Sequence, residues 1–342
     1  MKKLSEYDQA AVELASAALS RVSKYEDDRQ KVYGSLRPAN GLLFHYTSTE
    51  GFKGIIERNE LWATSAYFLN DSKEIFYGCQ VAKKALDEWM SENPRPETSL
   101  SLGLARQVQE AFGDTFLNMK VVRPIFLSCF CENHDLLSQW RAYGKSGGYS
   151  LGFQVPAADP IWGLGFKPEP TALTAVWAKV EYNKDEQLRR CRAILDSLLS
   201  VFDDPNTAKA IAEVGAHPLC GYEIIFRRMI DLLLEEIVSF KSPAFASENE
   251  WRIVVRQRER IKQGQDDGSK IVKPYQFRSR EGMLIPYIRL IPPKDGGKLP
   301  IASVRSGPTN DPISTSLAVP LLLEQNGFKA RVSHSDISLR NF

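Results

Sequence analysis

Two carboxylates, Glu248 and Glu250, stand two residues apart at the entry to the run EWRIVV. On an extended strand, residues i and i+2 face the same way. Like charges on one face raise one carboxyl pKa, which suits general acid–base work or stabilisation of a developing cation. The competing assignment is that these carboxylates answer Arg252 or Lys241. A second island, His45-Tyr46-Thr47, ends the apolar run Leu42-Leu43-Phe44, and Asn70 and Asp71 close the same stretch. An imidazole at a strand end can donate to a ribose hydroxyl or a phosphate, or act as a base. It can equally serve the structure by bonding a nearby carbonyl. A third island covers residues 138–144, where Trp140 and Tyr143 share a helix face and can stack on a ligand ring. Core packing is the competing role for Trp140. Arg141 points away from it and can clamp a phosphate. The last island joins Ser306-Gly307-Pro308 to His334-Ser335-Asp336, which matches a hydrolytic triad in residue type only. No Walker sequence, GxGxxG, HExxH or GxSxG occurs, which removes weight from those chemistries.

The elements that must position these residues follow from periodicity and capping. After the strand at 42–44, Thr47 and Glu50 fit a capping box for a helix burying Phe52, Ile55 and Ile56, with Asn59 as a left-handed stop. A strand at 61–64 follows, and Asp71 with Glu74 fits a second box opening a helix from 72 to Asn93-Pro94. Strand ends and helix starts of this kind gather polar groups beside free N–H donors, where anionic ligands such as pyrophosphates bind. A helix at 99–119 precedes a strand at 124–131, apolar on both faces and therefore central. Asn133 or His134 caps a helix from 135 to 143, which Gly144 ends, and Gly147-Gly148 turns into a strand at 149–153. Residues 154–172 read as loop. A strand at 174–182 leads to helices at 184–202, 205–215 and 219–240, and the chain returns to strand at 250–255. Residues 257–275 read as a hairpin or mobile loop. Strands at 282–291 and 301–305, a helix at 312–325 and a strand at 330–333 complete the pattern. A helix at 4–33 precedes all of this. The expectation is an N-terminal helical extension (1–38) and one α+β domain (39–342) with a helical insertion at about 184–240.

Composition bounds the rest. The chain has 342 residues, 43% hydrophobic and 25% charged, with net charge +2, which gives no general argument for a nucleic-acid or membrane partner. Five cysteines without a CxxC pair favour a reduced, cytoplasmic compartment and argue against a zinc site. The N-terminus lacks the apolar core of a signal peptide, and no apolar run reaches the roughly 18 residues of a membrane span.

The series HYTS, LWATSAYFLNDSKE, SCFCENHDLLSQWRAYG–GGYSLGF, ENEWR and SHSDISLR resembles an uncharacterised bacterial family, domain of unknown function 2971. The resemblance runs from about residue 42 to 340. The opening strand–helix–strand unit is in turn similar to the first segment of ADP-ribosyltransferase-like proteins, especially the branch that modifies DNA. That likeness implies a split, mostly antiparallel sheet with flanking helices, NAD as substrate and no metal. It also implies an acceptor that is nucleic acid or protein, and a role in toxicity or anti-phage defence. On that model Glu250 is the catalytic carboxylate and Glu248 orients the nucleophile. His45, with Tyr46 and Thr47, holds NAD, and Tyr67, Trp140 or Tyr143 stacks on a ring. Asn70, Asp71, Arg141 and Arg252 line the site. Breaking the nicotinamide–ribose bond creates oxocarbenium-like charge, which a ribose-binding carboxylate stabilises. The chain departs from the pattern in lacking a Ser-Thr-Ser motif and a first-strand arginine. Two readings compete: a metal-dependent nuclease or hydrolase built on Asp71, Glu74, Glu248 and Glu250, and a non-catalytic ligand-binding module.

Overall fold

A computed structural model describes residues 16, 20–21, 23–25, 27–29, 31, 37–38, 40–69, 73–92, 94–112, 125–144, 147–155, 166–169, 173–203, 219–257, 275–280, 282–292, 294 and 296–338. They form two compact units. One is helical and gathers α2 (Lys73–Glu92), α3 (Leu100–Ala111), α5 (Lys184–Leu199) and α6 (Leu219–Ile237). The insertion expected at 184–240 therefore shares a body with the helices that follow residue 72. Among the described residues no helix is long and apolar enough to cross a membrane.

The helical unit is held by close approach and by buried polar staples. A Cβ on Gly78 of α2 would lie 2.7 Å from the Ile237 Cβ, so glycine lets α2 and α6 meet. The buried Gln187 amide donates to the carbonyls of Glu181 (2.6 Å) and Lys241 (3.0 Å) and accepts from the Tyr77 hydroxyl (2.8 Å). Arg29 meets the buried Glu235 at 2.7 Å and Glu236 at 2.6 Å. Each removes a buried polar group from the cost of being unpaired.

The second unit is a large, mostly antiparallel open sheet with flanking helices. Its strands are β1 (Leu42–Ser48), β2 (Leu61–Ser65), β3 (Phe126–Cys131), β4 (Gly148–Gln154), β5 (Lys167–Glu169), β6 (Leu173–Lys179), β7 (Glu250–Gln257), β8 (Gln276–Arg280), β9 (Met283–Ile291), β10 (Ile301–Ser306) and β11 (Arg331–His334). The helices are α1 (Thr49–Arg58), α4 (Leu137–Tyr143) and α7 (Pro312–Gln325). The order β11-β10-β4-β1-β3-β2-β9-β5 forms the spine; β7 adds to β3 and carries β6, and β8 pairs with β9. Only β10 and β11 pair in parallel among these ladders. As expected, β3 is central: one edge pairs with β7 along its length. Its other edge is divided. β1 touches it at Phe44↔Cys131, and β2 touches it at Thr64↔Leu127 and Ser65↔Phe126. Between these contacts the two strands leave a gap.

Alternation sorts the side chains. Leu43, Phe130, Leu151, Trp251, Ile253 and Val304 enter one core with Phe52, Ile55 and Ile56 of α1 and Val319 and Leu323 of α7. Phe44, Tyr46, Cys131 and Trp140 form a second, smaller cluster. Several local expectations change. Ser48, the last residue of β1, caps α1 in place of Thr47, accepting from the Gly51 amide at 3.2 Å. Asn59 does end α1 in the left-handed region (φ 54°). Neither Asn133 nor His134 caps α4, which begins at Leu137; the Asn133 side chain accepts from the Asp135 amide instead (2.9 Å). Two strands lie outside the expected set: β5 inside the presumed loop, and β8, which makes a hairpin with β9 through Gly282 (φ 80°). The helix expected at 205–215 and most of 257–275 lie outside the described residues.

Candidate functional site: the gap between the first two strands

His45 follows Phe44, the last β1 residue paired with β3. Where β1 departs, the Cys129 carbonyl of β3 has no ladder partner from β1 or β2, and the imidazole takes it: Nδ1 lies 2.8 Å from that oxygen. A carbonyl only accepts, so Nδ1 carries the proton and Nε2 keeps its lone pair. Burial lowers the His45 pKa against the opposing effect of the Cys129 bond, and the nearby Arg278 pushes the same way as burial. The ring is therefore neutral at pH 7, and it remains half-buried, not sealed. Its other neighbour is the Phe130 ring at 5.5 Å.

By register Thr64, Tyr287 and Arg278 share the face of Leu127 and Cys131, opposite to that of the His45 side chain. There β2 and the β8–β9 hairpin contribute a cationic, aromatic wall, whose Arg278 charge still acts on His45. Arg278 donates to the Thr64 hydroxyl at 3.2 Å and lies 5.7 Å from the centre of the Trp62 ring. Trp62 stacks on Tyr287 (4.4 Å, 29°) and is also approached by Arg58 at 5.4 Å. Glu60, two residues before Trp62, is spent on the Trp62 indole N–H (2.8 Å) and on Arg289 (2.5 Å). Pattern reading missed Arg278 because β8 was not recognised as a strand. The signal was QFRSRE before GMLIPYIRL, a polar run ahead of a Gly and an apolar run, which is a hairpin pattern.

The carboxylates expected at the site are placed differently. Glu248 belongs to a 3-10 turn, Pro243–Glu248, and Asn249 is left-handed (φ 42°), so the strand starts only at Glu250. Glu248 and Glu250 are therefore not i and i+2 of one extended strand. Glu250 is buried and clamped by Arg252, itself 1% exposed, through Nε–Oε1 at 2.8 Å and Nη2–Oε2 at 3.1 Å. The register Phe44↔Cys131↔Glu250 puts the three on one face, and His45, one residue along, on the other. Both acids still act on Cys131: burial first, then Glu250, Glu248 and Glu132, push its thiol up to about 12. On the His45 face the carboxylate is Glu132. It accepts from the Trp251 indole (2.8 Å) and Lys179 (3.2 Å), and Trp251 is paired with Phe130.

The other expected site residues are placed as follows. The Tyr46 hydroxyl donates to the Asn133 carbonyl and accepts from the Leu136 amide, each at 2.9 Å, and burial raises its pKa. Trp140 is core, edge-on to Tyr46 at 4.7 Å, with its N–H on Asp135 (2.6 Å). Arg141 and Tyr143 are exposed on α4. Thr47 is half-buried in β1, and Tyr67 is half-buried in a 3-10 turn after β2. Asn70 and Asp71 lie outside the described residues. Asp135, unforeseen, draws the fourth island together. It accepts from Trp140, from the Ser335 hydroxyl (2.6 Å) and from the Asp336 amide (2.9 Å), with Arg305 at 3.5 Å. His334 bonds Ser306 at 2.7 Å, so its neighbours Ser335 and Asp336 make no relay with it. Glu74 is buried in α2 of the helical unit. Among the described residues no group of three or more His, Cys, Asp or Glu side chains is placed to hold a metal ion.

Residues 139–253 match the family model described as Protein of unknown function (DUF2971). That stretch is DUF2971 sequence. It contains Trp140, Arg141, Glu250 and Arg252, while His45 and Arg278 fall outside it. No curated protein and no solved structure matches the chain.

Proposed function

We propose that the sheet unit binds NAD at the gap between β1 and β2 and acts as an ADP-ribosyltransferase-like enzyme on a nucleic-acid or protein acceptor. The observation that carries this reading is His45: a neutral imidazole, oriented through Nδ1 by a carbonyl that the divided sheet leaves open, with Nε2 left to accept a ribose hydroxyl. A split sheet with a histidine on its first strand is also what the resemblance implies.

The geometry favours a different carboxylate from the one assigned by resemblance. Glu250 lies on the opposite face and is neutralised by Arg252. Glu132 shares the face of His45, and its side chain is 20% exposed. In this reading Glu132 faces the ribose and offsets the charge that develops as nicotinamide leaves.

The test is calorimetric titration of NAD into wild type and His45→Ala, with NAD cleavage followed in wild type and Glu132→Gln. Saturable binding lost in His45→Ala is expected, and cleavage lost in Glu132→Gln with binding retained. Absence of saturable heat at about 1 mM NAD, a binding free energy of roughly 4 kcal/mol, would overturn the reading.

A further inference from the structure

Arg278 is placed to receive an anion. Its Nε is buried with no hydrogen-bond partner. Its charge meets a hydroxyl, Thr64, and an aromatic ring, Trp62, and among the described residues it meets no carboxylate. Three other buried or half-buried arginines are matched by carboxylates: Arg252 with Glu250, Arg289 with Glu60 and Glu169, Arg305 with Asp135 and Asp336. The nearest charges around Arg278 worsen the imbalance. Arg280, two residues along the same strand, repels it; Tyr287 is the opposing influence. Removing a guanidinium from water without a counter-ion is costly. A planar fork already held against a ring and a hydroxyl gives up little freedom when an oxyanion arrives.

We infer that Arg278, supported by Thr64 and Trp62, is an anion subsite for the diphosphate of a small nucleotide. A recessed guanidinium in a gap suits a compact diphosphate more than the continuous backbone of a nucleic acid. In assigning that diphosphate to NAD the inference rests on the proposed nucleotide site. Binding of inorganic pyrophosphate by itself does not.

The experiment titrates inorganic pyrophosphate, NAD and a short single-stranded DNA into wild type, Arg278→Gln, Arg278→Lys and His45→Ala, with thermal melting of each. Expected is saturable pyrophosphate binding, weakened at least tenfold in Arg278→Gln and partly kept in Arg278→Lys. Pyrophosphate should also raise the melting temperature of wild type and leave that of Arg278→Gln unmoved. Without ligand, Arg278→Gln should melt no lower than wild type, since it removes an uncompensated charge; this separates lost binding from lost folding. Equal pyrophosphate binding in wild type and Arg278→Gln overturns the inference, as does DNA binding without pyrophosphate binding. If NAD binding falls in His45→Ala and not in Arg278→Gln, the subsite is wrong and the NAD reading stands. If pyrophosphate binds through Arg278 and NAD does not bind, the subsite stands and the NAD reading fails.

Discussion

Glu250→Gln is expected to act on stability before it acts on chemistry. The carboxylate side chain is 8% exposed and its partner Arg252 is 1% exposed, with both contacts at hydrogen-bond distance. β7 lies between β3 and β6, so neither group can swing out to water without parting the sheet. Removing one partner of a buried pair costs about 3–5 kcal/mol, because the other charge stays buried and unmatched. Glutamine keeps the shape and one acceptor oxygen, which puts the loss near the lower end, about 3 kcal/mol. A domain of 150–250 residues shifts by roughly 2–4 °C per kcal/mol, so the sheet unit should melt about 6–12 °C lower. Glu250→Gln combined with Arg252→Met should recover part of this. Recovery is incomplete because each side chain makes further interactions. The assay is circular dichroism or dye-monitored melting of the three proteins. A single variant melting within about 2 °C of wild type would refute the argument that Glu250 is structural and restore it as a candidate for catalysis.

Asp135→Ala strips partners from the Trp140 indole and the Ser335 hydroxyl and should cost about 2–3 kcal/mol, read as a fall in the denaturation midpoint. Burial works to raise the Asp135 pKa, but Ser335, Trp140, the Asp336 amide and Arg305 outweigh it and hold the carboxyl below its usual value. Its contribution is thus full above about pH 4 and lost as pH falls through the lower, folded value, and Asp135→Asn should flatten the acid limb of a stability–pH curve. For His45 the folded pKa is depressed, so the unfolded chain takes the proton first. Stability should be complete above about pH 6.5 and decline as pH falls through it, a decline absent in His45→Gln. Burial pushes the Cys79 and Cys131 thiols up to about 12, so among the described cysteines the half-buried Cys129 should be alkylated first at pH 8, as peptide mapping would show.

Local order was legible from the chain alone. Apolar spacing marked α1 and α2, Asn59 declared its own left-handed stop, and an apolar run without alternation declared β3 central. These depend on neighbours within a turn or on burial of both faces, which composition encodes directly. His45 stands inside β1, which runs on to Ser48, and not at a strand end as expected, but its carbonyl partner was one of the two roles considered. What the sequence could not carry was which strand end meets which. The gap beside β3 exists because β1 and β2 share one edge of it from opposite ends, and nothing near residue 45 or 64 records that. Glu248 and Glu250 looked paired because extended spacing was assumed, and one left-handed residue, Asn249, undid the alternation. Glu132 and Asp135 stood in plain view as ordinary acids until cross-strand register gave one the His45 face and the other the joint between α4 and β11. Arg278 stood 233 positions from His45 in a hairpin that pattern missed. Spacing along the chain sets which way a side chain points; only pairing between distant strands sets what it points at.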